Sequence, residues 1–257
     1  MEYLVICLAA IFISTLTLFS GFGLGTLLVP FFCFFFPVDI SVALTAVVHF
    51  LNNLFKLGLL GKHMNKRVVL GFGVPGIFAA FLGAKVLFWF SHLEPMGSYE
   101  FFGRILTILP VKLVIAILLA FFALFEVLPQ LKNLSFDQKF LPLGGALSGF
   151  FGGVSGNQGA FRSAFLMRCG LSKESFIGTG VAIACLIDIT RLSVYGSHFL
   201  KTEIQSNSLL LIAATLSAFL GAWVGNRLMK KITMRAVQIL VAILLFIFAF
   251  GLSLGFI

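Results

Sequence analysis

GGALSGFFGGVSGNQGAFRS, residues 144–163, interrupts a chain that is otherwise mostly Phe, Leu, Ile, Val and Ala. Its glycines sit beside Ser155, Asn157, Gln158 and Arg162, and apolar helix-length segments flank it on both sides. Glycine is a poor helix former and leaves its backbone exposed. In hydrocarbon a bare peptide group is costly unless it finds a partner or lines a wet cavity. A glycine-rich break between apolar segments therefore reads as a discontinuous helix around a binding site. The alternative is close helix packing through small residues. Asn157 and Gln158 are not small packing residues, and they favour the break.

The composition sets the class. The chain has 257 residues, 60% of them hydrophobic and only 11% charged, with mean hydropathy +1.11. A soluble domain of this size cannot hide so much apolar surface. A membrane-spanning helix needs about 20 apolar residues, and several segments reach that length. The expected fold is an all-α polytopic membrane protein; a β-barrel would show short alternating segments instead. The net charge of +9 does not point to nucleic acid, because Lys and Arg gather in short gaps between apolar segments, as in loops facing an anionic leaflet. Cys7, Cys33, Cys169 and Cys185 are dispersed and fit neither a disulfide framework nor a metal site. Glu2 and the lack of a basic n-region argue against a cleavable signal peptide.

The apolar segments are 3–19, 24–36, 40–60, 68–90, 104–128, 140–154, 158–168, 175–196, 207–227 and 234–256. The second and seventh are short, and each follows a glycine-rich break: GFGLG at 21–25 and GGVSGNQG at 152–159. Sliding the chain by about 134 residues puts Gly25 on Gly159, Thr45 on Thr179 and Pro30 on Ala164. Further on, Ala80-Phe-Leu-Gly-Ala84 falls on Ala218-Phe-Leu-Gly-Ala222. The expected organisation is a single membrane domain of two repeats, 1–128 and 129–257, each a glycine-broken helical hairpin plus three transmembrane helices.

Charge then orients the halves. The gap 62–67, with Lys62, Lys66 and Arg67, reads as inside; 91–104, with Glu94, Glu100 and Arg104, as outside. The linker 130–139, the gap around Arg168 and Lys173, and the gap 227–235 read as inside, and 196–207 as outside. Equivalent loops of the two halves thus fall on opposite sides, with both termini outside. Inverted repeats with glycine-broken helices are a transporter architecture.

Ionisable groups within a membrane are expensive and ask for a reason. His49, Asn52, Asn53 and Lys56 lie along one face of the third segment. They form either an anion-binding or proton-carrying stripe or a polar seam between helices; Lys56 can also snorkel. The corresponding segment of the second half carries Thr179, Asp188, Thr190, Arg191 and Tyr195. Asp188 and Arg191, three residues apart, form either a local ion pair or a proton-coupling carboxylate beside a substrate-binding arginine. Arg162 follows the second break, where a helix starting near Asn157 would aim its amides at an anion. The guanidinium adds a fork suited to oxyanions, or else reaches the headgroups. No Walker A sequence, metal cluster or dinucleotide motif is present. No catalytic residue, metal or cofactor is expected.

The runs Gly21-Phe-Gly-Leu-Gly-Thr-Leu-Leu-Val-Pro30 and Val42-Ala-Leu-Thr45 in the first half resemble the sulfite exporter TauE/SafE family of membrane permeases. So do Gly149-Phe-Phe-Gly-Gly-Val-Ser-Gly-Asn-Gln-Gly159 and Ile177-Gly-Thr179 in the second, with Gly83-Ala84 and Gly221-Ala222 later in each half. The resemblance covers nearly the whole chain. It implies export or uptake of small sulfur-containing or organic anions such as sulfite, sulfonates or sulfoacetate, with proton coupling among the expected properties. One departure bears on substrate: Asn157-Gln158 stand where the family usually continues with glycines, and Arg162 and Ser163 replace apolar residues.

The expectation is a secondary transporter, an exporter of such anions in the cell (inner) membrane, with a passive channel or uptake permease as the alternative. Gly23, Gly25, His49, Asn52, Asn53, Ser155, Asn157, Gln158, Arg162, Thr179 and Arg191 are the expected substrate-binding residues, and Asp188 the proton-coupling one. The expected partners are a small anion, the lipid bilayer and a second copy in a homodimer, with no nucleic acid.

Overall fold

The computed structural model describes residues 1–17, 24–128, 135–196, 201–228 and 234–257. Gly23 and most of the first glycine break lie outside the described residues. The first half comprises α1 (Glu2–Thr17), α2 (Leu24–Cys33), α3 (Val38–Leu60), α4 (Lys66–Ser91), the strands β1 (Gly97–Phe101) and β2 (Arg104–Ile108), and α5 (Pro110–Val127). The second half comprises α6 (Leu141–Ser155), α7 (Gly159–Leu166), α8 (Lys173–Tyr195), the short α9 (Lys201–Ser206), α10 (Ser208–Leu228) and α11 (Met234–Ser253). Local chemistry sets the boundaries. Asn65 caps α4 by accepting from the Val68 amide at 3.2 Å, and Ser172 caps α8 by accepting from Ser175 at 3.2 Å. Pro110 opens α5, where its missing N–H costs nothing.

Four helices are long and apolar enough to cross a membrane, α3 (with the turn that follows it), α4, α8 and α10, and α1, α2, α5 and α11 contain shorter apolar stretches. Large apolar side chains such as Leu70, Phe78, Leu82, Leu209, Leu216 and Phe250 point outward. In water they would be a liability; against lipid they are the expected outer face. The chain is a multi-pass α-helical membrane protein.

Small residues decide which helices touch. Gly145, Gly149 and Gly153, four apart on α6, face the backbone carbonyls of Phe72, Gly76 and Ala80, four apart on α4; a methyl on any of them would collide. Gly83 meets the Phe150 carbonyl in the same seam. The α10–α1 seam repeats the device: Gly221 and Gly225 face the Ile11 and Thr15 carbonyls, and Ser14 Oγ donates to the Ala218 carbonyl at 2.7 Å. The pentapeptide shared by the two halves thus contributes to both seams, through Ala80 and Gly83 in one and Ala218 and Gly221 in the other. The other main pairings are α5 with α11, α3 with α8 and α4 with α8, and α10 also packs on α3. Exchanging the halves turns the α4–α6 pair into α10–α1 and maps α5–α11 and α3–α8 onto themselves.

Both explanations of residues 144–163 therefore apply, to different glycines. Those at 145, 149 and 153 are packing surfaces, and the break itself is confined to Gly156-Asn157-Gln158 between α6 and α7. Gly156 takes φ +80°, a conformation that L side chains rarely adopt.

Loops that charge assigns to one side lie against one another. Gly178 of α8 sits under the Leu60 carbonyl, and Arg235 donates to the Val127 carbonyl. At the opposite end, Tyr99 Oη donates to the Leu254 carbonyl at 2.6 Å. One element departs from expectation. The apolar segment 104–128 is not one helix: its start, residues 104–108, pairs with Gly97–Phe101 as an antiparallel hairpin. Phe102 and Gly103, both at positive φ, make its two-residue turn. Ile105, Thr107 and Ile108 are β-branched, which suits a strand, and the helix waits for Pro110.

Candidate functional site

The two breaks meet. Gly25, in the first turn of α2, lies against the Gly156 carbonyl and the His49 ring; a Cβ there would stand 3.4 Å from each. In return, a Cβ at Gly156 would stand 3.1 Å from Arg191 Nη1. Glycine is what permits this approach of two backbones, a histidine ring and a guanidinium. Ser148 of α6 fixes the link by donating to the Gln158 carbonyl at 2.7 Å, and Tyr195 of α8 donates to the Gly153 carbonyl.

Asp188 is the hub, and no part of it is exposed. Its Oδ1 accepts from Arg191 Nε at 2.9 Å and from Gln158 Nε2 at 3.1 Å. Arg191 Nη2 adds an ion-pair contact at 2.8 Å, without hydrogen-bond alignment. Its Oδ2 is 2.7 Å from His49 Nδ1 and accepts from Asn53 Nδ2 at 3.4 Å. Arg191 Nη1 reaches back to the Gly152 carbonyl at 3.3 Å. The local Asp188–Arg191 pair forms, and it is extended across the helix interface to α3 and to the break. A buried ion pair is tolerable only when its remaining donors and acceptors are used, and here nearly all are.

Lys56 and Arg162 differ. Lys56 is 8% exposed and has no hydrogen-bonding or ion-pair partner among the described residues. Arg162 donates from Nη1 to Gln158 Oε1 at 3.1 Å, and its Nε lies beside Gly180. The two cations are close enough to repel. Among the described residues neither has a carboxylate within ion-pair distance. Since Asp188 already balances Arg191, the cluster holds two positive charges in surplus.

The remaining expected residues distribute as follows. Asn157 and Asn52 are buried, and both amide atoms of each lack a partner among the described residues. A buried amide left unpaired costs about 1–3 kcal/mol, so such groups ask for a ligand or water. The Ser155 hydroxyl turns back to the Phe151 carbonyl at 3.0 Å, within its own helix. Thr179 lies at the α3–α4 turn, where its hydroxyl accepts from the Asn65 amide at 2.9 Å, whereas that of Thr45 has no partner among the described residues. Ser148 and the Gly152 carbonyl were not anticipated. A serine inside an apolar helix was the signal for the first; a backbone acceptor leaves none. Among the described residues no three His, Cys, Asp or Glu side chains gather as metal ligands would.

No curated protein and no solved structure matches the chain. A family described as Sulfite exporter TauE/SafE matches residues 6–252, a span that takes in both helix breaks and the whole buried cluster. The chain belongs to this family of sulfite exporters, TauE/SafE.

Proposed function

We propose that the chain is a secondary transporter that carries a small sulfur-containing or organic anion, such as sulfite or a sulfonate, out of the cell across the inner membrane. The observation that carries this reading is the unpaired Lys56 and Arg162 beside a saturated Asp188. Unpaired charge is expensive inside a membrane, and an oxyanion would balance it, with Arg162 offering a planar fork. Gly25 in the first turn of α2 and Gly159 at the start of α7 lie on either side of the junction, so both helices turn their positive ends toward it. Asn157 and Asn52 have free amide groups to offer the same ligand.

The reciprocal pairing of helices supports two inverted repeats, divided near residue 128, that rock about the shared site. Proton coupling runs, in this reading, through the His49–Asp188 pair. The test is flux of labelled sulfite or methanesulfonate in proteoliposomes. Coupled transport predicts accumulation that a protonophore collapses. Flux that only ever dissipates the anion gradient would identify a passive channel, and no flux of either anion would refute the substrate class.

A further inference from the structure

We infer that His49, not Asp188, carries the coupled proton, and that the proton and the anion bind cooperatively and travel together. The inference rests on the anion-site reading above and adds the identity of the proton carrier and the sign of coupling.

Both Asp188 oxygens already accept from donors: Arg191 and Gln158 on Oδ1, His49 and Asn53 on Oδ2. A proton placed on Asp188 would face these donors and release Arg191 as an uncompensated buried cation. The His49 ring uses Nδ1 toward Asp188, which fixes the tautomer and leaves Nε2 as the basic nitrogen. Protonation there breaks no bond to Asp188: one proton from water adds to the Nε2 lone pair, and imidazole becomes imidazolium. Asn53 Nδ2 lies 3.2 Å from Nε2. The same Nδ2 is equally close to Nδ1 and donates to Asp188 Oδ2, so Asn53 ties the ring to the carboxylate.

The charges acting on His49 are Asp188 and Arg191 on α8 and Lys56 on its own helix; Arg162, on α7, acts on Lys56. The facing helix α2 carries no Asp, Glu, Lys, Arg or His, and neither does α6. With the anion absent, an imidazolium would be a third surplus cation beside Lys56. With the anion bound, that repulsion is offset. Each ligand therefore strengthens the other by the same factor. An acid outer compartment then favours inward movement of the pair, so net export requires an outward anion gradient larger than the inward proton gradient.

Calorimetric titration of the purified protein with methanesulfonate, whose charge is fixed, tests this in two buffers of different ionisation enthalpy. The buffer dependence of the heat counts protons taken up on binding. Approaching one proton per anion is expected for the wild type. Affinity should rise up to about tenfold per unit fall in pH where His49 titrates. His49→Gln should bind the anion with no proton uptake. Wild-type binding without proton uptake, or uptake that persists in His49→Gln, would overturn the inference. Infrared difference spectra of the wild type give a check that needs no variant: a carboxylic-acid C=O band appearing with the anion would place the proton on Asp188 and overturn it too. Failure of the wild type to bind methanesulfonate, sulfite or any other anion offered would instead defeat the anion-site reading itself.

Discussion

Where the two glycine-rich stretches meet, at Gly25 and Gly156, their chemistry differs. Around Gly25 the first offers backbone: α2 reads LGTLLVPFFC, with Thr26 its only hydroxyl and no charge. The second offers Asn157, Gln158 and Arg162 within a few residues. At the position corresponding to Arg162 the first half has Leu28, fully buried in the apolar core. On the proposed reading of two repeats, the second break has become the polar one. The contribution of the first half comes instead from α3, through His49, Asn53 and Lys56. A site split between two halves is the arrangement that the proposed alternating-access transport requires.

The largest effect should follow from removing the hub. Asp188→Ala leaves Arg191 buried without its counter-charge, and a loss of about 3–5 kcal/mol is expected. It should appear as a sharp fall in thermal unfolding temperature in detergent. An unchanged temperature would mean that Arg191 finds another partner.

Truncating the corresponding residues of the two halves comes next. Arg162→Ala should cut transport at least about tenfold, the worth of a lost charge-assisted hydrogen bond, with normal insertion and stability. Leu28→Ala should instead cost about 2–5 kcal/mol of stability, as buried leucines do. Equal effects of the two on the two readouts would erase the functional asymmetry between breaks.

Asn157→Leu sharpens the point within the second break. Because the buried amide has no partner among the described residues, its loss should leave stability unchanged or slightly raised while transport falls several-fold. A clear drop in unfolding temperature would make Asn157 a structural residue.

The smallest expected difference separates the corresponding threonines. Thr179→Val gives up the bond to the Asn65 amide and should cost about 1 kcal/mol. Thr45→Val loses no bond and should be close to neutral. Comparable costs would mean that Thr45 acquires its partner in the state that dominates in solution.

Much of this was legible in one dimension. Hydropathy alone gives the membrane class, and glycine clustered with Asn and Gln marks the break. The stripe of His49, Asn53 and Lys56 follows from helical spacing. What the spacing could not supply is register between helices. His49 and Asp188 are 139 residues apart, and their contact is set by how closely the α3–α8 pair and the two glycine breaks approach. The same limit hides the destination of Thr179: a hydroxyl on an apolar helix serves a ligand or a neighbouring turn equally well until the packing is known. The hairpin at 97–108 was obscured because Ile105, Leu106 and Ile108 are apolar enough to be absorbed into the helix that follows. In α6 the glycines carried two messages at once, and only the backbone distances to α4 separate packing from break.

The central claim is that Lys56 and Arg162 are unpaired because an anion completes them. Calorimetric binding of methanesulfonate to the wild type and to the Lys56→Gln/Arg162→Gln double variant tests it most directly. Two lost charged contacts should weaken binding roughly 100-fold or more, with the unfolding temperature held or raised as the mutual repulsion disappears. A double variant that binds the anion as tightly as the wild type would contradict the account.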